Sequence, residues 1–489
     1  MPDFTRIVQD AYLEVLERAA DPGGLAHYNA LMNQGLSEAD LREALLRSAE
    51  YAARNPNPVG PLRIHPLNPR YFEDASSGQA VQIASYSNIV PTSAVTDYAA
   101  QVEEARRNRI SYCRMWTFLP FEGTDAIWPW LRGRRGTAYM GGFDGRKFNL
   151  NNFNQEFYAR VSDACGRALS AGIFTQIHVF DRVGMSPADD LRWGNNPWAA
   201  DNNLNDLEVP DARPPNDGTP DFYFYATKPN LRAQQERYVR KMIDETIRHP
   251  NVHYEVENEH WEHDDPDWAN HYGRFIKDHI AAAHPTATPR LVSYNSLAGD
   301  LESLFGSTSI DVINKHFGGE AEADPDLLNR YLEPRWPRGK PINVDEFANG
   351  VSDTNLLRRM CWTILSSGGH FHIEDALPAS RPFEVVEVIR RFKEDSGWAF
   401  VRAAPNRGLV TSGGGYCLAE AGREYVCYFP PGGARTVTVS AGEYREQWWN
   451  PRAGGFTNAA TFTHGGGDRA FNPPDGNDWV LHVRSVGGM

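Results

Sequence analysis

Cysteine is scarce in this chain, with five residues in 489 (Cys113, Cys165, Cys361, Cys417 and Cys427). So small and odd a number excludes a disulfide framework as the source of stability. Cys113, Cys165 and Cys361 lie in apolar runs and read as core residues. Cys417 and Cys427 flank the turn Glu-Ala-Gly-Arg, where a hairpin would set them face to face, so a disulfide there stays open. No Cys/His cluster has zinc spacing, and the Asn/Asp-rich stretch 201–206 reads as loop rather than calcium site. Long apolar runs are missing too: none approaches the roughly 18 residues that a spanning helix needs. The start, Met-Pro-Asp-Phe-Thr-Arg, lacks the basic and apolar blocks of a secretory signal. That leaves an extracellular or cell-surface location reached by another route or recorded without its leader, or the cytoplasm. Positive charge is in deficit, 49 Lys and Arg against 63 Asp and Glu, and a net −14 argues against nucleic acid as the main partner. Residues 80–95 contain no glycine, which removes the phosphate loop of a doubly wound nucleotide fold.

The length allows two or three domains, and changes of pattern place their limits at 1–54, 55–397 and 398–489. In the first, Phe4, Ile7, Val8, Tyr12, Val15 and Leu16 recur at helical spacing, and Asp21-Pro22-Gly23-Gly24 breaks the helix. Three short helices are expected there. After a Pro-rich linker (55–61) and a hairpin around 71–80, β-rich runs alternate with helical stretches. Eight strands are read at 80–90, 110–118, 172–181, 251–259, 290–295, 310–316, 341–346 and 369–374, with helices between them. Their alternation predicts a (β/α)8 TIM barrel, an α/β fold. From about Trp398 short strands with Gly and Pro turns predict a β-sandwich, in which Gly465-Gly466-Gly467-Asp468 reads as a loop.

The strongest chemical signal is a pair of carboxylates at strand ends. Asn258-Glu259 closes the apolar alternating run from Val252, and Glu346 closes Pro341 to Glu346. Hydrolysis of a glycosidic bond needs one protonated carboxyl to expel the leaving oxygen. It also needs one charged carboxylate to attack the sugar carbon or stabilise its positive charge. Other polar and aromatic residues gather at the same ends: Arg114 and Trp116 on strand two, His178 and Asp181 on three, Trp261 after four. Asn295 follows on five, His316 on six, His372 and Glu374 on eight. Arg114 is expected to keep Glu346 charged, and burial against Trp261 or neighbouring acids to raise the pKa of Glu259. Trp193, Trp198 and Tyr223, in the long loop 182–230, are expected to stack on sugar rings, as are Trp128 and Trp130 in another loop stretch. Arg132, Arg134, Arg135 and Arg146 form a basic run suited to an acidic glycan, or a solvated charge run.

With these residues in place, residues 62–397 resemble clan A of the glycoside hydrolases, cellulase-like barrels in particular. Asn251 to Glu259 resembles the segment before that clan's acid/base, and Glu346 stands where its nucleophile follows strand seven. Arg114 and His316 match its residues after strands two and six. The resemblance implies a retaining mechanism with Glu346 as nucleophile, Glu259 as acid/base, Asn258 beside the sugar and no cofactor or metal. Residues 4–52 resemble a helical domain of unknown function related to phycobilisome-linker repeats. The matching residues include Tyr12, Leu16, Arg18, Asp21-Pro22-x-Gly24-Leu25, Tyr28 and Ser48-x-Glu50. Gln447 to Pro451 and Trp479 to Leu481 resemble the so-called collagen-binding domain appended to apiosidase-like barrels. A carbohydrate substrate is the implied partner, and oligomeric state is not legible. Three rival readings remain. Glu257 could be the acid, the barrel could bind glycans without cleaving them, or His178, His316 and His372 could hold a catalytic metal.

Overall fold

The computed structural model of the protein describes residues 4–16, 18–46, 48, 50, 60–117, 126–138, 145–185, 192–211, 222–223, 226–259, 266–296, 301–317, 324–374 and 377–487. The chain divides into two compact units, Met1–Pro58 and Val59–Met489. In the first, helices span Thr5–Leu16, Pro22–Asn33 and Glu38–Leu46. Val8, Ala11, Tyr12 and Leu16 share one face of the first helix and bury themselves with Met32, Leu41 and Leu45. The second helix starts on a cap: the Asp21 carboxylate accepts from the Gly24 N–H, with Pro22 in the first turn. A Cβ at Gly24 would collide with the Tyr12 hydroxyl, so a larger residue there would have to push that ring aside.

The second unit is built on a parallel barrel. Its strands are β1 (Ala84–Ser85 and Asn88–Ile89), β2 (Tyr112–Met115), β3 (Phe174–Asp181), β4 (Val252–Asn258), β5 (Val292–Ser296), β6 (Val312–His316), β7 (Ile342–Phe347) and β8 (His370–Ile373). Each pairs in parallel with the next, and the two pieces of β1 close the ring. Ala84–Ser85 pairs with β8 and Asn88–Ile89 with β2. The sequence suggested one unbroken strand over 80–90. It is divided because each piece serves a different neighbour, while Ala80–Val81 is drawn into a separate antiparallel hairpin with Phe72–Asp74. Leu62–Ile64 pairs with the other edge of Phe72–Asp74, and Leu62 and Phe72 join a buried cluster with Ile83, Tyr112, Phe174, Leu291 and Val312 near the N-terminal ends of the strands.

Helices cover the outside, so β3 and β4 are buried along their whole length. Gln155–Ser170 shows why they pack: Phe157, Tyr158, Val161, Ala164, Cys165 and Ala168 fall on its inner face, and the Asn154 side chain caps its start. Each such large apolar side chain contributes about 2 kcal/mol when fully buried.

The remaining strands form a sandwich. One sheet runs, in spatial order, Ala404–Pro405, Tyr416–Glu420, Glu424–Phe429, Trp479–Ser485, Gly442–Trp449, Ala460–His464; the other runs Val410–Ser412, Arg435–Val439, Gly467–Phe471. Gly467 and Asp468, expected in a loop, begin a strand. Gly466 and Gly467 turn the chain at positive φ, and Asp468 then accepts from Thr411 and Thr438. Tyr416, Leu418, Val426, Tyr428, Trp449 and Val480 join the barrel core. A buried ion pair, Arg358 Nε to Asp478 Oδ2 at 2.8 Å, crosses the same boundary. Cys417 and Cys427 are antiparallel partners with Sγ atoms 2.7 Å apart.

Candidate active site

Arg114 is the hub of the site. It sits between Cys113 and Met115 on β2, and strand alternation sends those two to the apolar core and Arg114 to the barrel interior, fully buried. Its Nη1 donates to Glu346 and, at 2.7 Å, to Glu374. Its Nη2 donates to Asn258 at 2.7 Å and to Glu255 at 3.2 Å. Nε lies 3.1 Å from Asp345 Oδ2, an ion-pair contact outside hydrogen-bond alignment. One guanidinium thus serves four carboxylates from β4, β7 and the end of β8. Below it, Gln176, Asn314, Tyr112 and His253 form a buried polar layer, with the Gln176 Oε1 accepting from Tyr112 at 2.7 Å and from Asn314 at 3.0 Å.

Glu259 and Glu346 stand at the C-terminal ends of β4 and β7, and both have left-handed backbone, φ 53° and 50°. Such conformations cost of order 1–3 kcal/mol for a residue with a side chain, and they persist where surrounding structure enforces them. At Glu346 the cause is visible. The register between β7 and β8 shifts between Asp345 and Phe347, a bulge that turns two consecutive acids toward the same guanidinium. His316, from the end of β6, bridges the pair: its Nδ1 lies 2.8 Å from Glu259 Oε1 and 3.4 Å from Glu346 Oε2. Glu259, His316 and Glu346 each present an atom within 4.8 Å of the other two.

The charges are set by burial and by these neighbours. Burial pushes the Glu346 carboxyl up to about 7, although Arg114 and His316 pull it down. Burial also acts upward on Glu259, but contact with His316 and its charge outweigh it, and the Glu259 pKa falls. This reverses the expected order. Arg114 does draw Glu346 toward the charged form, yet that carboxyl is only 5 % exposed, and the His316 cation favours charge on Glu259. Burial opposes protonation of His316, but Glu346 and Glu259 outweigh it and raise its pKa. His178 is held well below its ordinary pKa by burial and by Arg114, and burial pulls His372 down to about 4. Asp181 is raised by burial and by the charge of Glu259.

Several expected residues converge here. Arg114, Asn258, Glu346 and Glu374 share contacts, with Glu259 joined through His316. The Asn258 amide lies 3.4 Å from Asp181 Oδ1. Trp116 packs under Arg114, whose guanidinium carbon is 5.5 Å from the ring, and edge-on to His178. His178 Nε2 is 3.4 Å from Glu255 Oε1. Asn295 is fully buried, its amide without a hydrogen-bond partner among the described residues. Trp261 lies outside the described residues.

Others are elsewhere. Trp193 is wholly buried and donates to the Asp211 carbonyl at 2.9 Å, while Trp198 packs edge-on against Trp130 and Phe222. Both rings are thus turned inward rather than outward to a sugar, Trp198 against Tyr238 and Phe222, and Trp128, Trp130 and Tyr223 are buried likewise. Glu257 accepts from the Tyr223 hydroxyl and is not part of the Glu259–His316–Glu346 cluster. His178, His316 and His372 do not gather as a metal triad among the described residues. The His372 Nε2 lies 2.9 Å from the Ser87 carbonyl oxygen. Glu255 and Asp345 were missed by the sequence reading. Glu255 shares the inward alternation of His253, and Asp345 that of Asn343 opposite Val344 in the core, a signal that could have found both; the residue the bulge brings inward is Glu346.

Comparison with known proteins follows the same division. Residues 407–484 match the family model "Putative collagen-binding domain of a collagenase", and residues 4–55 match "Domain of unknown function (DUF4214)". No curated protein sequence matches. Among solved structures, one described as "Glycoside hydrolase" superposes with TM-score 0.57 at 13 % identity, over 88 % of this chain and 98 % of that one. A glycoside hydrolase family 5 structure from Bacteroides vulgatus ATCC 8482 gives 0.58 at 11 % identity, over 88 % and 94 %. A putative glycoside hydrolase from the same organism gives 0.59 at 12 %, over 88 % and 83 %. At these identities the likeness is one of fold: a TIM barrel carrying a β-sandwich.

Proposed function

We propose that the protein is a retaining glycoside hydrolase acting on an oligo- or polysaccharide, with Glu346 as nucleophile and Glu259 as acid/base. One observation carries this reading: two strand-end carboxylates converge across His316, within 4.8 Å of it and of each other. Retaining chemistry uses carboxyl groups about 5 Å apart, whereas inversion needs about 6.5–9.5 Å to hold a water between them. The close pair supports retention. The barrel shared with solved glycoside hydrolases adds support at the level of fold.

In this scheme a Glu346 oxygen attacks the anomeric carbon as the glycosidic C–O bond breaks, and Glu259 gives its proton to the leaving oxygen. Glu259 then takes a proton from water, which attacks the same carbon and frees Glu346. Arg114 and His316 hold the negative charge that returns to Glu346. The pair needs one proton in all. In the free site that proton rests on Glu346, and the cleaving form carries it on Glu259. The two carboxyls present atoms within 4.8 Å of each other across His316, so the proton has a short path between them. No cofactor takes part.

The order of the two pKa values favours a second reading, in which Glu259 attacks and Glu346 is the acid. Action outside the cell or at its surface belongs to the proposal, supported by a C-terminal match named for a collagenase. Among the described residues no helix is long and apolar enough to cross a membrane.

The test is release of new reducing ends from a panel of bacterial and plant polysaccharides, wild type beside Glu346→Gln. Cleavage of one glycan, slowed at least about a thousandfold in the variant, is expected. Equal cleavage by both would remove Glu346 from the chemistry. Binding of a glycan with no turnover by wild type would make the barrel a non-catalytic receptor.

A further inference from the structure

Away from the carboxylate site, three metal-ligating side chains meet at the far end of the barrel. Asp244 lies in the last turn of the helix Pro229–Thr246. His279 lies just before the last turn of the helix Pro266–Ala283, and His284 follows just after it, its backbone N–H bonded to the Ile280 carbonyl. Both imidazoles aim Nε2 at one carboxylate oxygen: His279 is 2.7 Å and His284 2.8 Å from Asp244 Oδ1. The two rings stand nearly perpendicular, 87° apart, with centroids 5.7 Å from each other. All three ligand atoms lie within 4.8 Å of one another.

A second, independent feature favours a cation here. Both helices end beside the cluster, so the negative ends of their dipoles point toward it. Neither helix has a basic residue in its last turn, and Asp244 adds a further negative charge where a helix disfavours one. Without a cation, two imidazole N–H groups crowd onto a single oxygen. With one, the same three atoms supply two nitrogens and a carboxylate oxygen, a donor set suited to a borderline-soft divalent ion.

Zinc–ligand bonds of about 2.0–2.2 Å put tetrahedral ligands about 3.3 Å apart. The two Asp–His distances would open by roughly half an ångström, which partly exposed side chains can do by small rotations, and that exposure leaves room for water as a fourth ligand.

We propose that Asp244, His279 and His284 form a zinc-class metal site that ties together the C-terminal ends of the two helices flanking β4. The site is structural. Barrel helices run opposite to the strands, so it lies at the end of the barrel away from Glu259 and Glu346.

Zinc binding to chelator-treated full-length protein, measured by calorimetry and by melting, tests this. One zinc per chain is expected, with a rise in melting temperature of about 2 °C or more at saturation that chelator reverses. The pair His279→Ala/His284→Ala should lose that zinc or bind it at least about tenfold more weakly. Asp244→Asn, which keeps the shape and removes the charge, should weaken it in the same direction. Glu346→Gln serves as the control for the buried Glu259–His316–Glu346 group and should keep the zinc. Absence of binding to wild type, unchanged binding in the double variant, or loss in Glu346→Gln would each overturn the proposal.

Discussion

Replacing Glu346 by Gln should make the protein more stable at alkaline pH, and the gain should vanish in acid. The Glu346 carboxyl is raised from an ordinary 4.5 to about 7 by burial. A carboxyl raised in this way favours the folded state below about pH 4.5, and that advantage is lost as pH climbs through 7. At about 1.4 kcal/mol per unit, the wild type gives up about 3 kcal/mol across that window. Gln cannot ionise, keeps the shape, and leaves Arg114 with Glu255, Asp345 and Glu374 as partners. The raised pKa of His316 depends in part on Glu346, so its pH-dependent contribution also shrinks in the variant, with the same sign. The difference between variant and wild type should therefore move by about 3 kcal/mol in favour of the variant between pH 4 and pH 8. For a unit of this size that is about 3 °C in melting temperature. Thermal melts of both proteins across that range read it directly. A difference independent of pH, or one that turns against Gln at pH 8, would refute the reasoning that Glu346 is buried at an electrostatic cost.

Three further outcomes follow from the same contacts. Arg114→Met leaves Glu255, Asp345, Glu346 and Glu374 without their common cation, and should cost about 3–5 kcal/mol at pH 8. Because Arg114 pulls the raised Glu255 and Glu346 carboxyls toward the charged form, its removal raises them further, and the deficit should narrow on acidification, as melts at pH 5 and pH 8 would show. Trp198→Ala should lower stability by about 3–5 kcal/mol through loss of its packing on Trp130 and Phe222, measured by denaturant unfolding. Mild oxidation should link Cys417 to Cys427, since they face each other as strand partners with touching sulfurs. Peptide mapping would show the loss of two hydrogens across that pair.

How far the sequence spoke for itself differs from element to element. Apolar alternation in β3 and β4 and turn residues at their ends made the eight strands readable, because buried parallel strands carry a plain hydrophobic signature. Arg114, Asn258, Glu259, His316, Glu346 and Glu374 were readable for a related reason: a charged or strongly polar residue near the end of an apolar run has few structural uses. Two kinds of feature were hidden. A loop's aromatic rings look the same in sequence whether they face solvent or core, so the burial of Trp193 and Trp198 had to be seen. Alternation also fails at a bulge: Asp345 faces inward by the regular pattern, whereas the positive φ that brings Glu346 onto Arg114 beside it is a tertiary constraint, not a local preference. The reversed pKa order of Glu259 and Glu346 arises in the same way, from contact with His316 across three strands.

The central claim is that Glu346 makes the bond to sugar. Once a cleaved glycan is known, its 2-fluoro glycoside with a good leaving group should slow the second step and leave the sugar attached. Peptide mass spectrometry of the inactivated protein then reads the position. The account predicts one glycosyl ester, on Glu346, and its absence from Glu346→Gln. An ester on Glu259 would establish the reversed assignment, and turnover of the glycan with no ester on either residue would contradict the double-displacement mechanism.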